Sequence, residues 1–461
     1  MRDSSDMSTL HGPSRADGPS AAREPAAAVG YLQTLRRFGE KPGLARIRFL
    51  LERLGNPHRA YPAVHVAGTN GKGSTSAMIA SVLQAAGYRT GLFTSPHLVR
   101  YNERIRVDGV PIGDDELGAL LGRLREEAER AASDPDVGQP TEFEVGTAAA
   151  LAYFAQAAVD VAVVEVGLGG RFDATNVVEP VVSVITPIGL DHTRVLGNTL
   201  AAIAAEKAGI IKPGVPVVCA YQAPEARDVI AAQAQELGAP MYLAGHEFDS
   251  RLLGADQRGT RFAVRWRDRW LEELWVPLLG PHQAGNGAVA VAAVQVLGEA
   301  GFPVTEDALR RGLAAVRWPG RMELHPGKPA LLFDGAHNAE GAQVLAEGIR
   351  AVFPGRRPVF VLGMLNEKPI DAMLRILLPL GQAAVFTAAR VGRGTPADPA
   401  DLARRAEGLV PSVGVEPDPL AAVALARRWA GPDGLVCVAG SLYLVGELVG
   451  LLAGELRGAR E

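Results

Sequence analysis

The sequence is poor in cysteine. Only Cys219 and Cys437 occur in 461 residues, and each stands inside a short apolar run. This number excludes a disulfide-stabilised scaffold, and both cysteines are expected to be buried as apolar residues.

Long hydrophobic runs are also missing. No stretch reaches the ~18 consecutive apolar residues of a membrane-spanning helix. Residues 1–24 are rich in Ser, Ala, Pro and Arg and contain no apolar segment typical of a signal peptide. We therefore expect a cytoplasmic protein with no membrane partner, and a disordered tail over residues 1–24.

The sequence lacks a large excess of charge of either sign. The chain has 47 Lys and Arg against 51 Asp and Glu, a formal net charge of −4. Without a global positive field we expect no nucleic-acid partner. An anionic ligand must therefore be held by a local site.

What the chain does contain is a repeated alternation of strand-like and helix-like segments. From about residue 63, apolar runs such as AVHVAG and VAVVEVG alternate with Ala- and Leu-rich stretches. Runs that are apolar throughout indicate parallel strands covered by helices on both faces, which predicts an α/β fold. Between roughly 240 and 280, apolar and charged residues alternate, which predicts antiparallel strands at a sheet edge.

The length exceeds what one hydrophobic core usually supports, so we predict two domains. A Pro- and Gly-rich cluster over residues 318–329 separates two series of candidate strands. The predicted division is a first domain over residues 25–317, a hinge over 318–323 and a smaller α/β domain over 324–461.

The segment HVAGTNGKGSTSAM places glycines and a lysine between a predicted strand and a predicted helix. Gly68 and Gly71 allow successive backbone N–H groups to point into one concavity, and the helix N-terminus adds partial positive charge. Lys72 can reach the terminal phosphates of a nucleotide, while Ser74 or Thr75 can meet a phosphate or its metal. The segment therefore predicts a phosphate-binding loop.

This loop is a variant of the usual nucleotide-binding pattern. Val66 stands where that pattern has its first glycine, and Gly73 where it has a hydroxyl directly after the lysine. The other interpretation is a tight strand-to-helix connection without a ligand.

Polar residues follow two further predicted strands. Glu165 lies near the end of the run VAVVEV, and Asp191 and His192 follow VVSVITPIGL. Ligands of open α/β sheets collect at the carboxyl ends of the strands, so these side chains could meet a nucleotide and Mg²⁺ there. Taken alone, Glu165 or His192 would more often be a hydrogen-bonded structural residue.

In combination these motifs resemble the folylpolyglutamate synthase and dihydrofolate synthase family of Mur-type ATP-dependent amide ligases. The matching segments, in the family's order, are GTNGKGS (68–74), TSPHLVRYNERI (94–105), TEFE (141–144), EVGLGGRFDATN (165–176), DHTRVLG (191–197), EKAGIIKPG (206–214), HQAGN (282–286), WPGRME (318–323), DGAHN (334–338) and GSLYL (440–444). The resemblance implies a P-loop, Mur-ligase-like central domain with a mostly parallel sheet that binds ATP and folate. It also implies a smaller, Rossmann-like C-terminal α/β domain that serves glutamate ligation.

The activity implied by the resemblance is ATP-dependent ligation of L-glutamate. The acceptors would be dihydropteroate, giving dihydrofolate, and the polyglutamate tail of tetrahydrofolate. The acceptor carboxylate would be activated as an acyl phosphate, releasing ADP and then phosphate. Mg²⁺, as two ions, would offset the repulsion between the anionic reactants.

The resemblance also implies roles for individual residues. ATP would be bound by Gly71, Lys72, Gly73, Ser74, Asn286, Arg321 and Asp334. Magnesium would be bound by Ser95, Glu165 and His192. The residues with a catalytic role would be Lys72, His337 and Lys207, the last as a carbamate that helps to hold the second metal ion. An exposed helix lysine is the alternative interpretation of Lys207.

Substrate-binding positions are implied in the same way. Those of the pterin substrate would be Thr141, Glu142, Phe143, Glu144, Phe172, Asp173 and Ala174, and Ser441 would join His337 in binding the incoming glutamate. Aromatic rings there could stack on a flat heterocycle, and carboxylates could accept hydrogen bonds from its N–H groups. Core aromatics and helix caps are the alternative interpretation.

Three other functions stay open from the sequence. One is another Mur-type ligase, acting on nucleotide-sugar precursors; the 67 residues before Gly68 leave little room for the extra N-terminal domain that we expect in such enzymes. The second is a non-catalytic ATP-binding module, against which the intact Lys72, Glu165 and Lys207 speak. The third is extension of polyglutamate tails alone. We expect both glutamate-adding activities, and a monomer.

Overall fold

The computed structural model describes residues 23–35, 42–392 and 394–458. The predicted tail over residues 1–24 lies outside the described residues except for its last two. Arg23 and Glu24 begin the first helix, so the tail prediction is wrong for these two positions.

The apolar runs of the first half form one large sheet. Its strands are β1 (Ala63–Ala67), β2 (Thr90–Phe93), β3 (Ile105–Val107), β4 (Val110–Pro111), β5 (Val161–Glu165), β6 (Pro180–Ile185), β7 (Val217–Cys219) and β8 (Met241–Leu243). The strand order is β4-β3-β2-β5-β1-β6-β7-β8. In this order, the neighbouring strands from β2 to β8 pair in parallel. The strand β3 pairs antiparallel with both β2 and β4. The predicted parallel sheet is confirmed.

Helices cover both faces of this sheet. They are α1 (Arg23–Thr34), α2 (Ala45–Arg53), α3 (Lys72–Ala85), α4 (Asp114–Ala132), α5 (Glu142–Gln156), α6 (Thr193–Leu196), α7 (Leu200–Ala208), α8 (Pro224–Glu236), α9 (His282–Glu299) and α10 (Glu306–Ala315). One core joins α3, α9 and α10 to the sheet, and another joins α2, α4 and α5. In α4, the buried leucines 117, 120, 121 and 124 form one stripe, and acidic residues occupy the first turn.

The predicted antiparallel strands exist, but they do not extend the edge of the large sheet. β9 (Phe248–Asp256), β10 (Gly259–Trp266) and β11 (Arg269–Val276) form a sheet of their own, in the order β11-β10-β9. Alternate residues such as Phe262, Val264 and Leu274 are buried in the core that also contains α9. Because this face packs on a helix, the strands need no edge of the large sheet to bury it.

From Glu323 onward the chain forms a second sheet with helices on both faces, which we call the second α/β layer. Its strands are β12 (Glu323–His325), β13 (Ala330–Phe333), β14 (Val359–Leu362), β15 (Ala383–Phe386), β16 (Val413–Val415) and β17 (Leu435–Ala439), and its helices are α11 (Ala339–Val352), α12 (Ile370–Leu377), α13 (Pro399–Arg405), α14 (Pro419–Ala430), α15 (Leu442–Leu451) and α16 (Ala453–Gly458). The order is β12-β13-β17-β14-β15-β16, parallel except for β12. Separate cores fill its two faces, which gives the predicted Rossmann-like arrangement.

Short 3₁₀ helices at Pro57–Arg59, Tyr101–Arg104, Ala174–Val177 and Leu378–Leu380 complete the described elements. Cys219 and Cys437 are free and buried, as expected. Within the described ranges every helix is too short or too polar to cross a membrane.

Candidate active site

The phosphate-binding loop predicted from the sequence lies between β1 and α3, at the carboxyl end of the large sheet. Gly68 and Gly71 have φ angles of 147° and 83°, which favour glycine. A Cβ atom at Gly68 would overlap Oγ1 of Thr186, and one at Gly71 would overlap Oδ1 of Asn286. The two glycines therefore allow the backbone to turn, and they also allow Thr186 and Asn286 to approach the loop closely.

Two lysines converge on this loop. Lys72 donates from Nζ to the carbonyl oxygens of Gly68 (3.1 Å) and Thr69 (3.2 Å), and Lys207 donates to the same Gly68 oxygen at 2.7 Å. Burial, and then the positive charge of Lys72, lower the pKa of Lys207 to about 7. Lys207 is only 4% exposed, so it is not the exposed helix lysine of the alternative interpretation.

Glu165 and Ser95, two of the predicted magnesium ligands, are adjacent. Glu165 ends β5, and its Oε2 accepts a hydrogen bond from the Ser95 backbone N–H at 3.2 Å. Burial raises the pKa of Glu165, while Lys72 opposes the rise. The third predicted ligand, His192, lies beside Asp191, with 3.9 Å between Nε2 and Oδ2.

Glu165 and Ser95 are suitable ligands for a magnesium ion that a nucleotide also binds. Among the described residues, no three or more His, Cys, Asp or Glu side chains are grouped closely enough to bind a metal ion by themselves. Mg²⁺ commonly takes one or two protein oxygens and completes its shell with phosphates and water. The Glu165 carboxylate, with Ser95 beside it and Lys72 of the predicted phosphate loop nearby, would suit that arrangement.

Arg321 and Asp334, predicted to bind ATP, hold the connection to the second sheet. Asp334 directly follows β13 and accepts hydrogen bonds from the backbone N–H groups of Met322 and Ala336, both at 2.8 Å. Burial raises the pKa of Asp334, and Arg321 lowers it. Arg321 donates from Nη1 to the Gly320 carbonyl at 3.1 Å. Both side chains therefore shape the junction, and their contact with ATP stays a prediction.

The loops of the two sheets meet at Asp191. Its Oδ1 lies 2.8 Å from Lys368 Nζ, and its Oδ2 lies 3.2 Å from Asn338 Nδ2 and 3.5 Å from His337 Nε2. Burial would raise the pKa of Asp191, but the hydrogen bond from His337 and the charges of His192 and Lys368 hold it well below its usual range. Asp191 is therefore a carboxylate held by the second α/β layer.

A second connection reaches the phosphate loop itself. Asn70 donates from Nδ2 to Oε2 of Glu340 at 3.1 Å, and Glu340 Oε1 accepts from the Leu190 N–H at 3.1 Å. Glu340 stands in the first turn of α11. The loop after β1 and the loop after β6 are thus both fixed to the same helix.

The two residues predicted for the incoming glutamate follow neighbouring strands of the second sheet. His337, after β13, bonds through Nδ1 to the Gly335 carbonyl at 2.8 Å, so its Nε2 faces Asp191. Ser441, after β17, is buried and caps α15 by accepting from the Tyr443 N–H. His337 thus joins the Asp191 cluster, whereas the hydroxyl of Ser441 serves a helix end.

The TEFE segment forms the start of α5. Thr141 and Glu144 make a capping box, in which each side chain accepts from the other's backbone N–H. Arg46 Nε lies 3.0 Å from both Glu144 oxygens. The Phe143 ring packs over Gly167 and the ring of Phe93. Glu142 lies 3.8 Å from Arg104.

The other predicted pterin-contacting segment is a tight turn. Asp173 is buried and accepts hydrogen bonds from Leu168 N (2.8 Å), Thr175 N (3.0 Å) and Thr175 Oγ1 (2.5 Å). Burial raises its pKa. Ala174 is buried at the start of a 3₁₀ helix, while Phe172 is 51% exposed. The exposed ring is free for a ligand, and Asp173 holds the turn.

Comparison with known proteins decides the family. Residues 66–294 match the Mur ligase middle domain, and residues 320–442 match the Mur ligase, glutamate ligase domain. The dihydrofolate synthase/folylpolyglutamate synthase of Bacillus subtilis is 41% identical over 418 residues, 89% of this chain and 95% of that protein. The chain belongs to the folylpolyglutamate synthase/dihydrofolate synthase family of Mur ligases.

Solved structures of this family have the same fold. Mycobacterium tuberculosis folylpolyglutamate synthase complexed with ADP has a TM-score of 0.86 and 35% identity, covering 93% of this chain and 98% of that one. Escherichia coli FolC in complex with DHPP and ADP has a TM-score of 0.83 and 34% identity, covering 95% and 100%. The first of these structures therefore contains ADP, and the second contains both DHPP and ADP.

In this Mur ligase, sequence reasoning missed several residues of the cleft. Asn338 and Glu340 contact both the loop after β1 and the loop after β6, and Lys368 contacts the loop after β6. Lys368 follows β14 in NEKP, so the rule that ligands collect at strand ends, applied to the second sheet, could have found it. Trp318 was also missed; its indole ring packs where a Cβ of Gly73 would stand.

Proposed function

We propose that this Mur ligase adds L-glutamate to dihydropteroate, forming dihydrofolate, and to the polyglutamate tail of tetrahydrofolate, with conversion of ATP to ADP and phosphate. One observation supports this most strongly. The phosphate loop, with Lys72 and Lys207, lies directly against the second-layer loop that carries His337 and Asn338. ATP bound to the first α/β layer and an amino acid bound to the second would therefore both reach the carboxylate of the acceptor substrate.

The chemistry follows from the weakness of a carboxylate as an electrophile. An oxygen of the acceptor carboxylate attacks the γ-phosphorus of ATP, and the bond from that phosphorus to ADP breaks. The glutamate amine then attacks the acyl carbon, a tetrahedral intermediate forms, and phosphate leaves as the amide forms and the amine loses its proton. Lys72 brings a positive charge to the loop that would hold the phosphates.

Magnesium would supply charge neutralisation at the transferring phosphoryl group. Ser95 and Glu165 would hold one ion, with His192 as the further ligand of a two-ion site. The remaining predicted ATP contacts are Gly71, Gly73, Ser74, Asn286, Arg321 and Asp334. Their positions around the loop and the junction support a nucleotide bound between the two α/β layers.

Lys207 has the properties that carbamylation requires. An amine reacts with CO₂ only when it is uncharged, and a pKa of about 7 leaves a large uncharged fraction at neutral pH. The nitrogen attacks CO₂, loses a proton and becomes an anionic carbamate. The repulsion between Lys207 and Lys72 would then become an attraction, and the carbamate could help to hold the second metal ion.

The pterin would lie near α5 and the turn at Phe172. Phe143 and Phe172 would provide flat apolar contacts, while Thr141, Glu144 and Asp173 fix the backbone around them. Glu142 and Ala174 complete this predicted pocket, and Ser441 would act with His337 on glutamate. We further propose the division into residues 25–317, 318–323 and 324–461, a monomeric state and a cytoplasmic location.

The reaction is tested by glutamate-dependent ADP release with Mg²⁺ and each acceptor in turn. Turnover with both dihydropteroate and tetrahydrofolate is expected. Turnover with tetrahydrofolate alone would limit the enzyme to tail extension, and turnover with neither would overturn the proposal. Lys72→Ala should abolish ADP release while keeping the wild-type melting temperature, and Lys328→Ala, at an exposed bend, is the matched control.

A further inference from the structure

Three side chains at the start of α9 form a hydrogen-bonded chain that ends at the phosphate loop. They are His282, Gln283 and Asn286, all within the first turns of the helix. Gln283 is 1% exposed and Asn286 is 7% exposed. Because these amides are shielded from water, each depends on its protein partners for hydrogen bonds.

The placement of the two amide groups defines a direction for these hydrogen bonds. Gln283 Nε2 lies 3.0 Å from His282 Nε2, and an amide nitrogen can only donate, so the imidazole nitrogen accepts. Gln283 Oε1 accepts from Asn286 Nδ2, also at 3.0 Å. The hydrogen bonds therefore run from Asn286 through Gln283 to the lone pair of His282.

The tautomer of His282 and the orientation of the Gln283 amide determine each other. Burial, and then the positive charge of Arg321, lower the pKa of His282 to about 4, so the imidazole is neutral at pH 7. With Gln283 Nε2 as the donor, the single proton of the ring is on Nδ1, a buried atom that has no hydrogen-bond partner among the described residues. In this tautomer, reversal of Gln283 would place its carbonyl oxygen against the lone pair of His282 Nε2, so the tautomer holds the amide in this orientation.

The Asn286 end of this hydrogen-bonded chain faces the phosphate loop. With Nδ2 of Asn286 bonded to Gln283, Oδ1 is the atom that lies against Gly71. Gly71 is the N-cap of α3. The site therefore presents a fixed hydrogen-bond acceptor at this point, and a reversed amide would present a donor instead.

We propose that His282 and Gln283 are positioning residues that fix the amide of Asn286 with its oxygen toward the phosphate loop, and thereby determine nucleotide affinity. This inference rests on the proposed function, which places ATP on that loop. A nucleotide group that binds there must offer an N–H or O–H donor. Release of the amide from Gln283 weakens ATP binding without removing any group that touches the reacting atoms.

The test compares two substitutions at the same position. Gln283→Met has a similar length and removes both hydrogen bonds. Gln283→Glu keeps the direction of the chain, because burial favours the protonated carboxyl, whose O–H can donate to His282 while its carbonyl accepts from Asn286. Gln295→Met, at a half-buried position later in α9, is the control for general perturbation of the helix.

The readouts are KM for ATP and kcat in glutamate-dependent ADP release, together with calorimetric titration by ADP. Gln283→Met should raise KM and the ADP Kd about tenfold, the effect of one or two neutral hydrogen bonds, with kcat within about threefold of wild type. Gln283→Glu and Gln295→Met should stay within about twofold. In an Asn286→Ala background, Gln283→Met should have no further effect.

Four results would overturn the inference. Wild-type KM in Gln283→Met would remove the role of the chain, and equal losses in Gln283→Glu and Gln283→Met would show that only packing matters. An additive effect in the Asn286→Ala background would show that Gln283 does not act through Asn286. If Asn286→Ala itself leaves KM unchanged, the nucleotide role of Asn286 is wrong, while wild-type turnover still supports the proposed reaction.

Discussion

Lys207 on α7 and Gly68 of the phosphate loop are joined by a 2.7 Å hydrogen bond across 139 residues of sequence. This contact places a buried amine with a lowered pKa at the same carbonyl that Lys72 uses. Two ammonium groups at one oxygen repel each other, so the pair is best satisfied when one of them is uncharged or converted to an anion.

We therefore predict that Lys207 forms a carbamate. Protein exchanged into ¹³C-bicarbonate at pH 7.5 should give a carbamate carbonyl resonance in the ¹³C NMR spectrum. The resonance should weaken as the pH is lowered below about 7, because protonation of the amine prevents the reaction. Lys207→Arg should lack the resonance and Lys328→Arg should keep it. A spectrum of Lys207→Arg identical to that of wild type would contradict the prediction.

The contact between Gly73 and Trp318 predicts a specific sensitivity of the phosphate loop. A Cβ atom at Gly73 would stand 2.7 Å from Cζ2 of the indole ring, too close for either to remain in place. Gly73→Ala should raise the KM for ATP and shift the tryptophan fluorescence, with a loss of about 1–3 kcal/mol in the free energy of unfolding. Gly122→Ala is the control, because no atom lies within 4 Å of the position that its Cβ would take. Unchanged fluorescence and KM in Gly73→Ala would show that the two residues do not touch.

The ion pair between Asp191 and Lys368 predicts that the second α/β layer supports the loop that carries His192. Both side chains are nearly buried, with 13% and 10% exposed. Lys368→Met should lower the free energy of unfolding by about 2 kcal/mol, less than for an isolated buried pair because Asn338 still bonds Asp191. It should also lower kcat for ADP release, whereas Lys328→Met should change neither. Urea denaturation and initial rates measure the two effects, and wild-type values for both would refute the prediction.

His65 predicts a loss of stability in acid. It is fully buried on β1 and bonds through Nε2 to Thr175 Oγ1 at 2.8 Å, and burial, then Lys212, lower its pKa to about 3. Since an unfolded histidine titrates near 6.5, the unfolded chain binds more protons between about pH 6.5 and pH 3, and stability falls as the pH falls through this range.

The expected contribution of His65 is about 2 kcal/mol lost between pH 7 and pH 5. His65→Gln can keep a donor toward Thr175 but cannot titrate, so its free energy of unfolding by urea should fall less over this interval. His246→Gln, at an exposed position, should follow wild type. Parallel curves for wild type and His65→Gln would show that His65 does not cause the acid dependence.

Most of the fold could be predicted because its signals are local. Apolar runs such as those of β1, β5 and β6 form parallel strands since helices cover both faces of the sheet. The glycine loop was found for the same reason, because strand, glycines and helix are contiguous. The placement of β9 to β11 was wrong because alternation shows that one face is buried but not what covers it.

The cleft was only partly predictable because its contacts join distant parts of the chain. Asp191 and Lys368 are 177 residues apart, and nothing in either segment indicates the other. The capping box in TEFE was readable from its spacing, whereas the Arg46 that pairs with Glu144 was not. Residues that hold loops, such as Asp173, therefore resemble ligand-binding residues until their hydrogen bonds are known.

The central claim is that the two layers cooperate to form an amide between glutamate and a folate precursor. The most direct test is mass spectrometry of the product after incubation of the enzyme with dihydropteroate, L-glutamate, ATP and Mg²⁺. A product heavier than dihydropteroate by one glutamyl residue, formed only when ATP is present and lost in Lys72→Ala, is the predicted result. Unchanged dihydropteroate, together with unchanged tetrahydrofolate in the parallel reaction, would contradict the account.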